Sequence, residues 1–167
     1  MSTALRRRLG AYYRGLRTGT DCVYCGEVAT GRDHFLPVSA SVLLRALSID
    51  IDDRCLVTLP ACKECNTLAG ARVFRTVAGK RRYIKRTLAK RNAKVLALRD
   101  WDQDELEELG WTLRTTIISG MHKRDQIKRR LAWLPASDVE KTLSRIDIGS
   151  GSARNLAAWD GMSRKRA

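Results

Sequence analysis

Two pairs of cysteines place the strongest constraint on how this chain of 167 residues can fold. Each pair has two residues between its members, Cys22 with Cys25 and Cys62 with Cys65. This spacing lets both thiolates of a pair face one cation from a tight turn, and two pairs supply the four sulfurs of a tetrahedral zinc site. A closed four-cysteine site leaves no position for water, so we expect a structural Zn²⁺. We interpret the remaining Cys55 as a core residue.

The alternatives for these cysteines are a redox-active dithiol and reduced residues without a ligand. Neither pair lies in the strand–helix–strand pattern of redox-active CxxC motifs. The arginines in residues 1–10 are not followed by an apolar stretch, so no export signal is evident and disulfides are disfavoured. No apolar run approaches the ~18 residues needed to cross a bilayer. The sequence therefore predicts a protein that stays in the compartment where it is made.

The charge of the chain is the first indication of function. Lys and Arg number 32 and Asp and Glu 18, which gives a formal net charge of +14. Such an excess attracts polyanions, and nucleic acid is the favoured partner over a membrane surface or simple solubility. Residues 71–100 are rich in bases and contain a single acid, Asp100. Within this segment we predict nucleic-acid contacts for Arg81, Arg82, Lys85 and Arg86.

The chain divides into four segments. Residues 1–20 are interpreted as a basic leader compatible with a helix, and 21–70 as a compact zinc module of short strands and turns. Residues 71–148 are expected to be a helical extension that is first basic and then acidic. Residues 149–167 are rich in Gly, Ser and basic residues and are predicted to form a flexible tail.

Proline, glycine and capping residues predict where individual strands and helices begin or end. A strand is expected to end at Pro60, because proline cannot donate to a ladder. After an interruption at Gly70, helix is predicted within 67–99, and a second long helix with an imperfect apolar seam within 111–134. Asp102 or Asp104 is the expected N-cap of a short acidic helix between them.

An Asp–His dipeptide, Asp33–His34, lies between the two cysteine pairs. An aspartate offers a hard oxygen ligand for Mg²⁺, and a histidine offers a titratable base. Such a dipeptide alone is most often a capping Asp beside a surface or core His. Its position between two metal-binding turns, the second followed at once by Asn66, favours a functional interpretation.

Together these motifs resemble the HNH nuclease family in its four-cysteine form, which is common in bacteria and phages. The resemblance covers residues 22–66 and rests on three pieces: the first CxxC, then Asp33-His34-x-x-Pro37-x-Ser39, and then Leu59-Pro-Ala-CxxC-Asn66. It implies an α+β protein with a ββα-metal, treble-clef-like zinc module within 21–70, followed by helices. It also implies a protein of the bacterial or phage-infected cytoplasm.

The resemblance further implies a divalent-metal-dependent endonuclease that hydrolyses DNA phosphodiester bonds. His34 would be the general base that activates water. Asp33 and Asn66 would be the ligands of a catalytic Mg²⁺ or Mn²⁺. DNA is preferred by family association alone, and RNA is the alternative substrate.

The sequence departs from the family where an Asn is expected about five residues before the second cysteine pair. Val57 stands there instead. A backbone carbonyl, Thr58 or Asp53 is a candidate for orienting His34 in place of that Asn. The departure favours a second hypothesis, a non-catalytic zinc-binding nucleic-acid-binding protein such as a degenerate HNH protein or a ribonucleoprotein or packaging component. A third hypothesis is protein scaffolding through the C-terminal helices.

Overall fold

The computed structural model describes residues 13–16, 19–46, 51, 55–146 and 148. Within them the protein is a mixed α+β structure with a three-stranded sheet and seven helices, so the α+β expectation is confirmed. Predictions for the leader before residue 13, for Asp53 and for the tail 149–167 lie outside the described residues. No helix in the described ranges is long and apolar enough to cross a membrane.

The sheet has its longest and most buried strand in the middle. In chain order the strands are β1 (Arg14–Gly15), β2 (Gly31–His34) and β3 (Val57–Ala61). All five residues of β3 are buried, and β3 pairs in parallel with β1 and antiparallel with β2. The end of the predicted leader is therefore strand, because its extended backbone docks onto the start of β3.

The antiparallel pair fixes the Asp–His dipeptide against the centre of the sheet. Asp33 lies opposite Leu59, and His34 lies opposite Thr58. The expected strand end at Pro60 is one residue early, since β3 continues to Ala61. Because β1 reaches only the first two residues of β3, the proline has a strand neighbour on one side alone.

Most of the helices follow the last strand, and one of them lies between two strands of the sheet. In chain order they are α1 (Val38–Ala46), α2 (Lys63–Ala69), α3 (Val77–Arg91), α4 (Ala93–Leu96), α5 (Gln103–Glu107), α6 (Trp111–Ala132) and α7 (Ser137–Ser144). Helix α1 lies between β2 and β3, and α2 begins directly after β3.

Capping side chains account for several of the helix boundaries. The helix predicted within 67–99 is three helices, because Gly70 ends α2 with a φ of 55° and Thr76 starts α3 by accepting a hydrogen bond from Gly79 N. Asp102 caps α5 in a capping box with Glu105, which confirms one of the two predicted caps. Helix α7 lies within the predicted helical extension 71–148 but was not predicted as a separate element, and it has no side-chain cap.

The core surrounds β3 and the cysteines. Phe35 and Leu36 from the loop after β2 pack there with Ile84 of α3 and Leu143 of α7. Helix α6 buries fewer apolar side chains than its apolar seam predicted. Of that seam Ile127 is buried, but the residues at its two ends, Leu113 and Leu134, are exposed.

The C-terminal end of α6 packs on the first cysteine turn. Gly26 closes this turn with a φ of 75°, and its N–H donates to Cys22 O at 2.9 Å. A Cβ atom at Gly26 would overlap the indole ring of Trp133. The carbonyl of Trp133 in turn accepts a hydrogen bond of 2.5 Å from Lys85 Nζ of α3. Glycine is therefore required at position 26, because the backbone φ is positive there and because Trp133 leaves no room for a side chain.

We predict that Gly26→Ala destabilises the fold by about 1–3 kcal/mol, because it adds both a left-handed backbone penalty and a clash with Trp133. Thermal unfolding measures the effect. Gly31→Ala is the matched control, since an added Cβ there meets no atom within 4 Å. Equal stability of the two variants would contradict the packing of Trp133 on this turn.

Candidate zinc centre and the adjoining Asp33 site

The four paired cysteines come together as one buried cluster. Their sulfur atoms all lie within 4.8 Å of one another. The sulfurs of Cys25 and Cys62 are 3.8 Å apart. Two sulfurs of a tetrahedral ion with bonds of ~2.3 Å are separated by about 3.8 Å. The cluster could hold a metal ion such as zinc, as the cysteine spacing predicts, and Cys55 is buried outside it.

Two local structures present these sulfurs. The first pair lies on a tight turn in which Cys25 N donates to Cys22 O at 3.3 Å. The second pair lies at the start of α2, where Cys62 is the N-cap and its sulfur accepts from Cys65 N at 3.4 Å. Hydrogen bonds from Cys22, and then from Cys25 and Cys65, lower the pKa of the Cys62 thiol. Hydrogen bonds within the same cluster raise the pKa of the Cys22 and Cys65 thiols, so a bound cation would be needed to hold all four cysteines as thiolates.

A cation from α6 lies beside the cluster. Arg130 forms an ion pair of 2.7 Å with Glu64, which lies between the second pair of cysteines. Burial lowers the pKa of Arg130, but Glu64 and the neighbouring Cys25 outweigh burial and raise it. Four thiolates around a divalent ion leave an excess of negative charge, and a guanidinium next to them offsets part of that excess.

Asp33 lies on the inner side of β2 and is only 3% exposed. Its Oδ2 atom accepts a hydrogen bond of 2.5 Å from the Tyr24 hydroxyl. The same oxygen lies 2.6 Å from Nζ of Lys80 in α3, whose side chain is fully buried. Burial, and after it the charge of Asp33, raises the pKa of Tyr24. Burial lowers the pKa of Lys80, and the charge of Asp33 opposes this effect.

His34 lies in a different environment from its neighbour in the chain. Its side chain is partly exposed, and its ring meets the Tyr13 ring edge-on at 4.6 Å between centroids. The Tyr13 hydroxyl is anchored on Leu36 O at 2.8 Å. Burial is the main cause that lowers the pKa of His34. Thr58, a candidate for orienting the ring, accepts a hydrogen bond of 2.8 Å from Arg32 Nε, whereas Tyr13 contacts the His34 ring itself.

Asn66 lies in α2 directly after the last cysteine of the cluster. Its side chain is exposed, and its backbone N–H donates to Cys62 O at 3.1 Å. Elements β2 and α2 are in contact, but His34 lies opposite Thr58 near the start of β3, whereas α2 begins beyond Ala61 at the other end of that strand. The buried carboxylate of Asp33 is turned toward α3 instead.

The four basic residues predicted to contact nucleic acid do not form one exposed surface. Arg81 is buried, with Nε donating to Val23 O at 3.1 Å and Nη1 lying 2.9 Å from Glu140. Lys85 is partly buried against the end of α6. Three exposed bases of α3 are instead spaced four residues apart on one helix face: Arg82, Arg86 and Lys90.

The partners of Asp33 were not predicted from the sequence. Lys80 lies at helical spacing from Val77 and Ile84, both buried, so a lysine on this stripe had to find a buried partner. That position in an apolar stripe was the available signal for Lys80. No comparable signal marks Tyr24, which lies between the first two cysteines.

Comparisons with family models, curated proteins and solved structures found no match to this chain. The chemistry of the site itself is therefore the basis for assigning a function.

We predict that purified protein carries about one zinc per chain, as expected for a closed four-cysteine site. Cys62→Ser removes a ligand and should lower both zinc content and the thermal unfolding temperature. Cys55→Ser is the matched control, because it changes a buried cysteine outside the cluster and should leave zinc content unchanged. Elemental analysis gives the answer, and zinc-free protein purified without chelators would contradict the prediction.

Proposed function

We propose that this chain is an HNH-type endonuclease that hydrolyses DNA phosphodiester bonds with His34 as the general base. The observation that carries the proposal is the succession of β2, β3 and α2. It sets His34 at the end of one strand and Asn66 on the helix that follows the antiparallel partner. Apart from helix α1 between the two strands, this order of elements is compatible with the ββα-metal arrangement that the HNH resemblance implies. In the proposal the four cysteines form its treble-clef-like zinc centre.

In this proposal His34 takes the proton of the attacking water. An imidazole of ordinary pKa, ~6.5, is already largely neutral at pH 7 and can accept that proton, and burial lowers the pKa of His34 further. The edge-on contact with Tyr13 limits rotation of the ring, and the ladder with β3 fixes its backbone. A base held in one orientation needs little reorganisation during the reaction.

The zinc centre has a structural role in this proposal. It joins the turn at the first cysteine pair to the start of α2, the helix that carries Asn66. A substrate phosphate bound beside α2 would meet a helix whose start the metal fixes relative to the turn that precedes β2. Closed coordination by four sulfurs leaves zinc without a part in the chemical step.

The catalytic Mg²⁺ or Mn²⁺ that the resemblance implies fits these residues poorly. The exposed amide of Asn66 could offer an oxygen. The carboxylate of Asp33 is buried, and its Oδ2 already accepts from Tyr24 and pairs with Lys80. We therefore assign no step of the reaction to a cation on Asp33.

The ion pair between Asp33 and Lys80 favours a second candidate, a zinc-stabilised protein that binds nucleic acid without cleaving it. Under this hypothesis Asp33 is a structural residue, and the missing family Asn at Val57 marks a degenerate site. The basic face of α3 serves binding in both candidates. A cleavage assay separates them.

For the nuclease, we predict that His34→Ala lowers cleavage of supercoiled plasmid by ~10²–10⁴-fold, the usual contribution of a positioned base. Zinc content and DNA affinity should be retained, because the variant removes neither a cysteine nor an exposed cation. His122→Ala is the matched control, since it removes the other histidine of the chain, which is exposed on α6.

Two results would reject the nuclease. One is a wild-type protein that cleaves no form of DNA with Mg²⁺, Mn²⁺ or Ni²⁺, which leaves the binding protein as the function. The other is a His34→Ala variant that cleaves as fast as the His122→Ala control. RNA substrates run in parallel decide which nucleic acid is preferred.

For binding, we predict that replacing Arg82, Arg86 and Lys90 with Ala weakens DNA affinity and flattens its salt dependence. The slope of log affinity against log salt should become shallower by about 0.9 for each phosphate that the variant no longer neutralises. The control replaces Lys123, Lys128 and Arg129, three exposed bases of α6. Equal slopes for the two triple variants would show that net charge, and not the face of α3, determines binding.

A further inference from the structure

A single buried oxygen atom, Oδ2 of Asp33, makes two polar contacts inside the protein. It accepts from Tyr24 at 2.5 Å and lies 2.6 Å from Lys80 Nζ. A carboxylate oxygen has enough lone pairs to accept from the hydroxyl and from the ammonium at once. The negative charge inside the protein therefore has a cation supplied by the chain itself.

The surroundings of that cation are suited to an ammonium group. Nζ of Lys80 lies 5.9 Å from the ring centre of Tyr24, 6.0 Å from that of Phe35 and 5.9 Å from that of Phe74. These distances lie within the range of cation–π attraction. Nζ also lies 3.4 Å from the backbone oxygen of His34, to which it donates. Three rings and two oxygens thus surround one ammonium.

The same surroundings are unsuited to a hydrated divalent ion. Mg²⁺ requires six oxygen ligands in near-octahedral geometry at about 2.0–2.1 Å and keeps several of its waters. Aromatic carbon surrounds the position beside Asp33, and a second cation there would be repelled by the lysine at close range. Displacing the lysine would leave its buried charge without a partner.

We infer that Lys80 is the permanent counter-ion of Asp33 and occupies the place that the HNH resemblance gives to a divalent cation. Asp33 is then a structural residue, and its pairing with Lys80 anchors α3 to the end of β2 beside His34. Cation binding by the free protein can be measured without any cleavage of DNA, so a failure of this pairing is distinguishable from a failure of the proposed nuclease.

The decisive measurement is Mn²⁺ binding by the zinc-loaded protein without nucleic acid, followed by electron paramagnetic resonance. Wild type and Asp33→Asn should give the same Mn²⁺ isotherm, because the carboxylate is not a ligand. Loss of about tenfold or more in affinity in Asp33→Asn, equivalent to about 1.4 kcal/mol, would overturn the inference.

A thermal-unfolding series tests the pairing itself. Lys80→Met leaves the buried carboxylate without its counter-ion and should lower the unfolding temperature by on the order of 10 °C. The double variant Asp33→Asn/Lys80→Met removes both charges and should recover most of this loss. Lys90→Met, an exposed position on the same helix, is the control.

Two outcomes of this series would also overturn the inference. One is a Lys80→Met variant as stable as Lys90→Met. The other is a double variant no more stable than Lys80→Met, which would mean that the two charges are not coupled. If Lys80→Met fails to fold, the double variant and the Mn²⁺ comparison still decide the matter.

Discussion

The arrangement of this protein depends on four sulfur atoms that lie within 4.8 Å of one another in the core. Four thiolates at such distances repel one another unless a cation binds them, so a metal ion such as zinc would stabilise this arrangement. The ion would join the turn at 22–25 to the start of α2, and β3 leads directly into that helix. At the end of α6, Arg130 pairs with Glu64 of α2, and Trp133, the next residue after the helix, packs on Gly26 of the turn. The sheet, α2 and α6 therefore meet around one cluster of sulfurs.

Part of the positive charge that indicates nucleic acid is used inside the molecule. Lys80 and Arg81 are consecutive in α3 and both buried, one pairing with Asp33 and the other contacting Val23 O and Glu140. These contacts attach α3 to β2 and to the first cysteine turn. A net charge counts such residues together with the exposed bases, so the composition overstates the surface available to a polyanion. The bases that stabilise the fold differ from those available to a polyanion because each of them is buried with a partner.

Local signals in the sequence predicted the features that local chemistry determines. The cysteine spacing predicted the sulfur cluster, and the Asp102 cap predicted the start of α5. Features that depend on distant segments could not be predicted in the same way. Strand β1 exists because residues 14–15 pair with residues 57–58 of β3, far along the chain, and no periodicity is visible in two residues. One of the two partners of Asp33 likewise comes from α3, where a lysine in an apolar stripe was the available signal, and the other, Tyr24, comes from the first cysteine turn.

The alternation of side chains along a strand explains how the Asp–His dipeptide can serve two purposes. Successive residues of a strand point to opposite faces of the sheet. The last two residues of β2 follow this rule, since Asp33 is enclosed beneath α3 and His34 is partly exposed beside Tyr13. An ammonium that satisfies Asp33 also contacts the backbone oxygen of His34, so the buried pair fixes the strand end from which the imidazole projects. A structural Asp33 and a reactive His34 are therefore compatible, and the dipeptide alone does not require both residues to hold one metal.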